Sequence, residues 1–481
     1  MDFPLSCIFM CLPRHILLDK KWGAFHMEVI LTRISKEMIF WLAWIIIPVF
    51  WEILPAFAGV FVLIKKRYIN WKYKRPIKYP EITLIVPVYN SEQTLENCLA
   101  SIYNSIYPHE MMSIYVVDNG SKDKSYDVFV KCQKKYKDVP IWWMKAGQGK
   151  SKALNMALFN SKGKYIIHVD SDGVLERTAL EKMVNKFEEN ANVHSMTGSI
   201  VIDPRLVEDT EDFFLRLTRR CELFEYCNAF LAGRNYEAEF SSMYTLSGAF
   251  SAFRKSAILK TFLYNSITVS EDTHVSFQVR ELLKHDVTIC EDALFFVDPI
   301  DDYDKLYTQR QRWQRGEIEV SHMFLVDKLR PSNFFSNFMV RVLMYDHTFA
   351  FPRAIWYFAI FYLFFINYPL TLIIGSILIL YFLYVLAAFM FYFCVRAYLK
   401  EYYALRKYYS GIWYVCFLYP IFNLIVFFMR FAGIINSIKT DMTWKSRTLS
   451  EEWRDFKKTL QSDFKKANKL INKLKRGLNN E

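Results

Sequence analysis

The sequence predicts an α/β protein with a largely parallel sheet, flanked by transmembrane α-helices. Two observations predict this class. Between residues 80 and 325, short apolar runs alternate with polar turns and helical segments, and this succession builds parallel sheets whose turns share one edge. Long apolar segments lie on both sides of that region, and 53% of the 481 residues are apolar, which is high for a soluble protein.

Charge and cysteine content narrow the class further. The formal net charge is +12, and the basic residues cluster beside the apolar segments, which indicates membrane lipids as a partner and argues against nucleic acid. The nine cysteines are scattered and form no C-x-x-C pair, which argues against a disulfide framework or a zinc site. We therefore expect a reduced, cytosolic setting for the soluble part.

The first apolar segment covers residues 38–64 and follows an N-terminal segment, 1–37, that carries no clear signal. It is long enough to cross the hydrocarbon layer, which needs about 20 apolar residues, so we predict a transmembrane helix. Its one acidic residue, Glu52, is expected to face a partner helix. Basic residues from Lys65 to Lys78 follow, and the positive-inside rule then places residues 80–325 in the cytoplasm.

The second apolar block covers residues 344–438, after a predicted interfacial helix at 326–343. We divide the block into three membrane segments, Met344–Ile366, Pro369–Val395 and Gly411–Ile438, which predicts a multi-pass protein of the cell membrane. The tail, 439–481, is basic and amphipathic, with Ser450 as its expected N-cap. Three full spans would put this tail outside, whereas its lysines indicate the cytoplasm, so we expect Met344–Ile366 to lie partly in the interface.

The region 80–325 begins with two strand–turn–helix units. Residues Ile82–Val86 predict a strand, Pro87–Asn90 the turn, and 91–104 a helix. A second strand at Ser113–Val117 ends in Asp118-Asn-Gly-Ser121, and 125–137 predicts the next helix. Open α/β sheets bind ligands at the carboxyl ends of their strands, so we expect a nucleotide along this edge.

The run Tyr165–Val169 predicts a buried strand that ends in Asp170 and Asp172. Two carboxylates at the carboxyl edge of a sheet can hold a hard divalent cation, which can in turn bridge a diphosphate. The alternative is a strand that ends in an acidic turn and binds nothing.

Taken together, these turns resemble family-2 glycosyltransferases. The resemblance rests on Pro87-Val-Tyr-Asn90, Asp118-Asn-Gly-Ser121, Gly149-Lys150 and Asp170-Ser-Asp172. Ser270-Glu-Asp272 and Gln309-Arg-Gln-Arg-Trp313 narrow it to the membrane-embedded synthases of cellulose, chitin, hyaluronan and poly-N-acetylglucosamine. It covers roughly residues 81–313 and implies a nucleotide-sugar-binding catalytic domain of the glycosyltransferase A type, with a Rossmann-like sheet.

The resemblance assigns the donor site. It implies that Asp118 accepts a hydrogen bond from a uracil imide, that the backbone from Pro87 to Tyr89 frames the base, and that Lys150 pairs with the diphosphate. It also implies that Asp170 and Asp172 hold Mg²⁺ or Mn²⁺. From the residues alone, Asp118 fits an Asx turn before a glycine equally well, and Lys150 fits a solvated lysine.

The resemblance also assigns the reaction. Asp272 matches the general base that takes a proton from the acceptor hydroxyl, and one displacement of this kind inverts the anomeric carbon. Its neighbour Glu271 is expected to orient the site. From the residues alone, Ser270-Glu-Asp272 fits the acidic start of a helix equally well.

The acceptor side is assigned to two further segments. Trp313 is expected to stack on the acceptor sugar beside Gln309, and Arg312 to neutralise the departing diphosphate. Gly248 lies in a segment that resembles the family's acceptor side, where a glycine allows close backbone approach. The alternatives are a basic interfacial helix and an ordinary turn.

Three functions fit this sequence. The first is a processive synthase that elongates a polysaccharide from a UDP-sugar and exports it, with accessory membrane or export subunits as further partners. The second is a non-processive transferase that adds one sugar to a lipid-linked acceptor. The third is an inactive scaffold, against which the intact Asp170, Asp172, Asp272 and Trp313 argue.

Overall fold

The computed structural model describes residues 45–46, 48–69, 79–266, 268, 270–325, 327–328, 330–333, 340, 343–344, 350–439, 448–454 and 457–458. The expectations for residues 1–37, and for most of 326–343 and of 439–481, lie outside the described residues. The first long helix, α1, covers Leu54–Ile69 and follows a π-helical turn at Val49–Ile53.

The centre of the described structure is an eight-stranded sheet in the order β3-β2-β1-β4-β7-β6-β8-β5. Its first four strands pair in parallel, whereas β7 runs antiparallel to both of its neighbours and β5 runs antiparallel to β8. The sheet is therefore mixed, and the predicted parallel arrangement holds for one half of it. The strands are Ile82–Val88 (β1), Met112–Asp118 (β2), Ile141–Lys145 (β3), Tyr165–Val169 (β4), Gly173–Leu175 (β5), Ser195–Ile202 (β6), Phe250–Arg254 (β7) and Val287–Val297 (β8).

Helices cover the sheet because their apolar faces pack on strands that are buried along most of their length. The helices around the sheet are Leu95–Tyr103 (α2), Ser125–Lys135 (α3), Lys150–Asn160 (α4), Ala179–Glu189 (α5), Pro204–Glu208 (α6), Phe213–Cys227 (α7), Asn235–Glu239 (α8), Lys255–Ile258 (α9), Glu271–Glu281 (α10) and Tyr303–Leu325 (α11). A π-helical segment, Asn228–Arg234, joins α7 to α8.

The predicted strand Tyr165–Val169 has the observed bounds of β4, but β1 and β2 are longer than predicted. Pro87 was predicted in a turn and instead lies buried inside β1, opposite Val117. A proline is tolerated there because the pairing of β1 with β4 ends at Ile85, so only β2 accompanies this part of the strand.

An ion-pair cluster joins α1 to the far half of the sheet. The register between β6 and β8 shifts after Gly198, and this bulge contains Glu291 and Asp292. Lys66 of α1 lies 3.4 Å from Glu291, and Arg67 donates to Asp292 at 2.9 and 3.0 Å. These contacts fix the basic end of α1 on the catalytic domain.

The second apolar block forms helices Ala350–Leu363 (α12), Leu370–Tyr398 (α13), Tyr403–Gly411 (α14) and Val415–Lys439 (α15). Within the described residues, two helical stretches are long and apolar enough to cross a membrane, 370–401 and 415–436. About one third of each stretch is buried, whereas a core helix of a soluble protein is mostly buried.

The described residues contain fewer candidate spans than the sequence predicted. Within the predicted segment Met344–Ile366 they form a short apolar helix at 353–363, and residues 345–349 lie outside the described ones. The predicted span 38–64 is not among the two either, and its first residues, 38–44, lie outside the described ones.

The chain divides into two compact units, of which the smaller contains residues up to 58 together with 359–387. Within this unit, the carboxylate of Glu52 accepts a hydrogen bond from the Tyr384 hydroxyl at 2.5 Å. The acid thus has the helix partner expected for a charge in an apolar segment.

Candidate active site

The polar loops after β1, β2 and β4 lie side by side, because these strands are adjacent and parallel. The backbone N–H of Asn119 donates to the Val88 carbonyl at 2.8 Å, which joins the first two loops. The hydroxyls of Ser91 and Ser171 are hydrogen-bonded at 2.8 Å, which joins the first loop to Asp170-Ser-Asp172. The predicted donor residues at these strand ends therefore share one edge.

Asp118 ends β2 and closes an Asx turn. Its Oδ1 accepts from the backbone N–H groups of Gly120 at 3.2 Å and Ser121 at 2.8 Å. Within the described residues no hydrogen bond reaches Oδ2, so this oxygen remains available to a ligand. The turn and the expected base contact are thus compatible, each using one carboxylate oxygen.

Asn119 has a role that the sequence did not reveal. Its Oδ1 accepts a hydrogen bond from the Gly149 N–H, immediately before α4 begins at Lys150. Gly149 has a φ of +127°, which a residue with a side chain rarely adopts. Asn119 therefore ties the start of α4 to the loop after β2. No local pattern signals a contact between residues so far apart in sequence.

Lys150 and Asp170 form the centre of the site. The Lys150 ammonium lies 2.6 Å from Asp170 Oδ1 and 2.9 Å from Oδ2, and 3.6 Å from Glu271 Oε1. Burial acts to lower the pKa of Lys150, but Asp170 and Glu271 outweigh burial and hold that pKa above its ordinary value. Lys150 is therefore positively charged and fixed beside the carboxylates.

Asp272 lies in the first turn of α10, opposite the segment that contains Gly248. The Gly248 N–H donates to Asp272 Oδ2 at 2.9 Å, and the Thr273 N–H donates to Oδ1 at 2.7 Å. A Cβ on Gly248 would lie 3.0 Å from Asp272 Oδ2, so a glycine permits this approach. Ser270 precedes the helix without a side-chain capping bond, so capping does not explain this motif.

The carboxylates outnumber the cations at this site. One lysine faces Asp170, Glu271 and Asp272, and Asp172 adds its charge next to Asp170. Burial raises the pKa values of Asp170 and Glu271, and the neighbouring carboxylates raise them further against the opposing effect of Lys150. A diphosphate would add negative charge, so a cation is needed to bind it here.

Asp170 and Asp172 fit a divalent cation of the Mg²⁺ type. Among the described residues, no group of three or more His, Cys, Asp or Glu side chains could hold a metal ion. Mg²⁺ does not need such a cage, since it commonly binds one or two carboxylates and completes its shell with phosphate oxygens and water. Asp172 is exposed and Asp170 is partly exposed, so both can be reached by a ligand.

A buried polar pair supports the site from behind. The Tyr264 hydroxyl is hydrogen-bonded to His168 Nδ1 at 2.7 Å, and burial together with Lys150 lowers the pKa of His168 to about 3. His168 is therefore neutral. Asn155 exchanges two hydrogen bonds with the backbone of Tyr264, at 2.8 and 3.0 Å. A cavity of about 10 Å³ adjoins this pair and Asp272, enough for a single water.

The predicted acceptor residues lie on α11. Trp313 is 39% exposed, and the buried guanidinium of Arg310 lies 4.5 Å from its ring centroid. Arg310 pairs with Glu225 of α7 and also donates to Gln309 Oε1 at 3.0 Å. The ring is thus supported on one face by a cation, and more than a third of the side chain remains exposed.

Arg312 differs from its neighbour Arg310. It is exposed, and within the described residues it forms no ion pair. The sequence could not distinguish the two arginines, because they differ in burial: Arg310 is buried in an ion pair, and Arg312 is exposed. The structure does not connect Arg312 to Asp170 or Lys150, so its predicted diphosphate contact stays a prediction.

Gly316 sets the distance between α11 and the start of α10. A Cβ at this position would lie 1.9 Å from Ser270 Oγ, so any larger residue would displace one of the two helices. Trp313 precedes Gly316 by three residues, about 4.5 Å along the helix axis. The isolated glycine inside a helical pattern was the available sequence signal for this close approach.

The fold and this edge of the sheet define a glycosyltransferase of the A type. Residues 83–262 match the family described as "Glycosyl transferase family 2". The chain therefore contains a family-2 glycosyltransferase domain, and the family resemblance drawn from the motifs is confirmed.

Curated relatives agree with this assignment. Poly-beta-1,6-N-acetyl-D-glucosamine synthase of Staphylococcus epidermidis is 23% identical over 239 residues, which are 50% of this chain and 55% of that protein. The chain thus spans little more than half the length of that synthase. The probable glycosyltransferase YdaM of Bacillus subtilis is 25% identical over 320 residues, 65% of this chain and 72% of that protein.

Among solved structures, the chain is similar to the mannosyltransferase PcManGT of Pyrobaculum calidifontis, determined in complex with GDP-Man and Mn²⁺. The TM-score is 0.52 at 16% sequence identity, over 80% of this chain and 96% of the other. At this identity the likeness supports the fold of the domain and nothing finer.

Proposed function

We propose that this protein is a membrane-attached, inverting glycosyltransferase that moves a sugar from a UDP-sugar onto a growing polysaccharide. One observation carries the proposal. The Lys150–Asp170 ion pair and the Gly248-bound Asp272 lie together at the carboxyl edge of the sheet, which supplies a cationic group and a fixed carboxylate to one substrate.

The donor would lie across the adjacent loops. The free Oδ2 of Asp118 suits the N–H of a uracil ring, and the exposed Tyr89 lies next to it on the loop after β1. Lys150 would contact the diphosphate while keeping its pairing with Asp170. A UDP-sugar is also the donor that the synthase relatives suggest, with UDP-N-acetylglucosamine as the first candidate.

Metal dependence is part of the proposal. Asp170 and Asp172 would hold Mg²⁺ or Mn²⁺, and the metal of the mannosyltransferase complex supports this choice of ion. When bound, such a cation offsets the negative charge that develops on the leaving nucleoside diphosphate. Lys150 contributes to the same task from the other side of Asp170.

Asp272 would act as the general base. It takes the proton of the acceptor hydroxyl as that oxygen attacks the anomeric carbon, while the bond to the diphosphate breaks and the configuration inverts. The Gly248 N–H holds the carboxylate in place. Burial and the neighbouring Asp272 raise the pKa of Glu271, and Lys150 opposes this shift.

The acceptor sugar would stack on Trp313, which Arg310 and Glu225 hold from below. Gln309 and the exposed Arg312 lie on the same helix and would contact the acceptor and the leaving diphosphate. The two apolar stretches 370–401 and 415–436 support attachment to the cell membrane, with the catalytic domain in the cytoplasm.

A second function deserves a test because the described residues contain only two candidate spans, few for a channel that exports a polymer. In that function the enzyme adds one sugar to a lipid-linked acceptor. The stacking surface at Trp313 favours elongation, since it would bind a sugar that is already transferred.

A donor screen tests both functions. Purified protein in detergent is supplied with Mg²⁺ or Mn²⁺ and with UDP-N-acetylglucosamine, UDP-glucose or GDP-mannose, and the released nucleotide is measured. Release from a UDP-sugar with long products on a gel supports the polymerase. Products of one added sugar favour the second function, and no release from any donor contradicts both.

A further inference from the structure

The C-terminal residues 448–454 form a short helical segment that lies against α11, and we refer to them as the C-terminal clasp. Its start is a capping box. The Thr448 hydroxyl accepts from the Glu451 N–H at 3.2 Å, and the Glu451 carboxylate accepts from the Thr448 N–H at 3.1 Å. The N-cap is therefore Thr448. The sequence had predicted Ser450 instead.

Ser450 is free for another contact because Thr448 caps the helix. Its N–H donates to Asp304 Oδ1 at 3.0 Å, and its hydroxyl donates to Asp304 Oδ2 at 2.7 Å. Asp304 lies in the first turn of α11. A carboxylate that accepts two hydrogen bonds from one residue fixes the orientation of the two helices, as well as their distance.

Glu452 connects three elements. Its Oε2 accepts a hydrogen bond from the hydroxyl of Tyr307 on α11, and its Oε1 accepts from the side chain of Asn436 on α15 at 2.8 Å. Tyr307 is only 4% exposed, so its hydroxyl has little access to water as a substitute partner. Loss of the Glu452 carboxylate would leave this buried donor without its partner.

The same face of α11, farther along the helix, is held by α15. Arg430 donates to Gln314 Oε1 at 2.7 Å, and a Cβ on Gly433 would lie 3.0 Å from the Gln311 Cα. The helix that contains Trp313 is therefore held by both α15 and the clasp. Asp304 and Tyr307, the residues that the clasp contacts, precede Trp313 by about two and a half turns and by fewer than two turns.

We propose that the C-terminal clasp is a positioning element for the acceptor, which keeps α11 in the place where Trp313 can bind a sugar. This inference rests on the proposed function of Trp313. The clasp makes no contact with Lys150, Asp170 or Asp272 among the described residues. It should therefore affect elongation and acceptor affinity, and leave hydrolysis of the donor by water unchanged.

The test compares Glu452→Ala, Tyr307→Phe and the double variant with wild type in detergent. Product length, the KM for a short oligosaccharide acceptor and donor hydrolysis are measured. Each single variant should raise the acceptor KM about tenfold or more, because each loses the hydrogen bond between Tyr307 and the charged Glu452, and Glu452→Ala also loses the bond from Asn436. The double variant should be no worse than Glu452→Ala, since both changes remove the same contact.

Two further variants separate positioning from a general effect. Glu452→Gln retains a side-chain oxygen that can accept a hydrogen bond. Its KM for the acceptor should therefore lie close to the wild-type value. Arg454→Ala is the matched control, because Arg454 is exposed on the same segment and has no contact among the described residues. It should behave as wild type in every readout.

Hydrogen exchange of α11 provides a readout that needs no activity. Glu452→Ala should exchange faster than wild type over residues 303–316, and Arg454→Ala should not. Unchanged exchange in Glu452→Ala, or equal losses of hydrolysis and elongation, would overturn the inference. A different pair of results is faster exchange in Glu452→Ala while the wild-type protein releases no nucleotide from any donor. That pair of results would overturn the proposed function, and with it the acceptor role of the clasp.

Discussion

At the scale of single residues, the site depends on the balance between Lys150 and the surrounding carboxylates. Asp170 keeps its charge partner at 2.6 Å, whereas Asp172 is exposed after β4 and has no such partner among the described residues. Under the proposed function, this asymmetry gives the two acids different tasks. Asp170 would be shared between Lys150 and the cation, and Asp172 would be available to the cation alone.

Asp172→Ala should therefore abolish metal-dependent transfer without unfolding the protein, because an exposed side chain contributes little to stability. The expected loss is about a hundredfold or more, since the charge on the leaving diphosphate is no longer offset. Nucleotide release is measured over a Mg²⁺ and Mn²⁺ titration. Asp127→Ala, on the exposed face of α3, is the control. Full activity of Asp172→Ala in chelator would exclude the metal role.

The sequence predicted the acidic residues of the site, but it did not predict the hydrogen bonds that hold the site together. Asp170, Asp172 and Asp272 could be found because each follows a strand or starts a helix within a recognisable motif. The bonds from Asn119 to Gly149 and from Gly248 to Asp272 join segments about 30 and 24 residues apart. Such contacts depend on strand order, and no local pattern encodes them.

At the scale of elements, α7 and α11 form the support of the acceptor surface. Glu225 of α7 pairs with Arg310, whose guanidinium lies under Trp313. The nearby Glu222 is 1% exposed, and its carboxylate accepts from the Ile300 N–H at 3.1 Å, just before α11. The two helices therefore share a buried polar layer.

Trp313→Ala should impair elongation more than donor hydrolysis, because water needs no stacking surface whereas an acceptor sugar does. Loss of the ring should lower polymer synthesis about tenfold or more. Both rates are measured on the same preparation. If hydrolysis and synthesis fall in parallel, Trp313 supports the fold and does not bind the acceptor.

Glu222→Gln should change how stability depends on pH. Burial raises the pKa of Glu222 from 4.5 to about 7, so the folded state holds a proton that the unfolded state has released between these values. The contribution of Glu222 to the free energy of unfolding is fully present below about pH 4.5 and is lost as the pH rises through about 7. The glutamine cannot lose a proton, so its variant should keep that stability.

The difference between wild type and Glu222→Gln can be followed by denaturant unfolding between pH 5 and pH 8. The variant should be more stable at pH 8 by up to about 3 kcal/mol, the value of the full pKa shift. The two proteins should converge toward pH 5. A constant difference across this range would show that Glu222 does not titrate there.

At the scale of the whole molecule, the clasp relates the C-terminal tail to the catalytic domain. Ser450 and Glu452 contact α11, so residues 448–454 lie against the catalytic domain. This contact supports the proposal that the tail lies on the same side of the membrane as that domain. The number of spans between them stays a prediction.

A cysteine in place of Asn479 should not react with an impermeant thiol reagent applied to intact cells if the tail is cytoplasmic, as we propose. The same variant in permeabilised cells is the positive control, since the reagent then reaches both sides of the membrane. The unmodified chain gives the background of its native cysteines. Labelling at residue 479 in intact cells would place the tail outside.

Hydropathy alone does not fix the number of spans. The apolar character of 344–366 was visible in the sequence, and its described residues contain a short apolar helix at 353–363. The bounds of β4 and the two long spans were predicted closely, because long or strongly apolar runs leave few alternatives. The mixed half of the sheet was not predicted, since antiparallel insertion of β7 has no local signal.

The central claim is that Asp272 removes the acceptor proton at the edge where the donor binds, and Asp272→Asn tests it most directly. The asparagine oxygen can still accept from the Gly248 N–H, so shape and donor affinity should remain. Transfer should fall by roughly a hundredfold or more, because an amide cannot take the proton. Donor affinity and sugar transfer are measured on one preparation with Mg²⁺ or Mn²⁺ present. Unchanged affinity with lost transfer is the predicted result, and near-normal turnover would contradict the account.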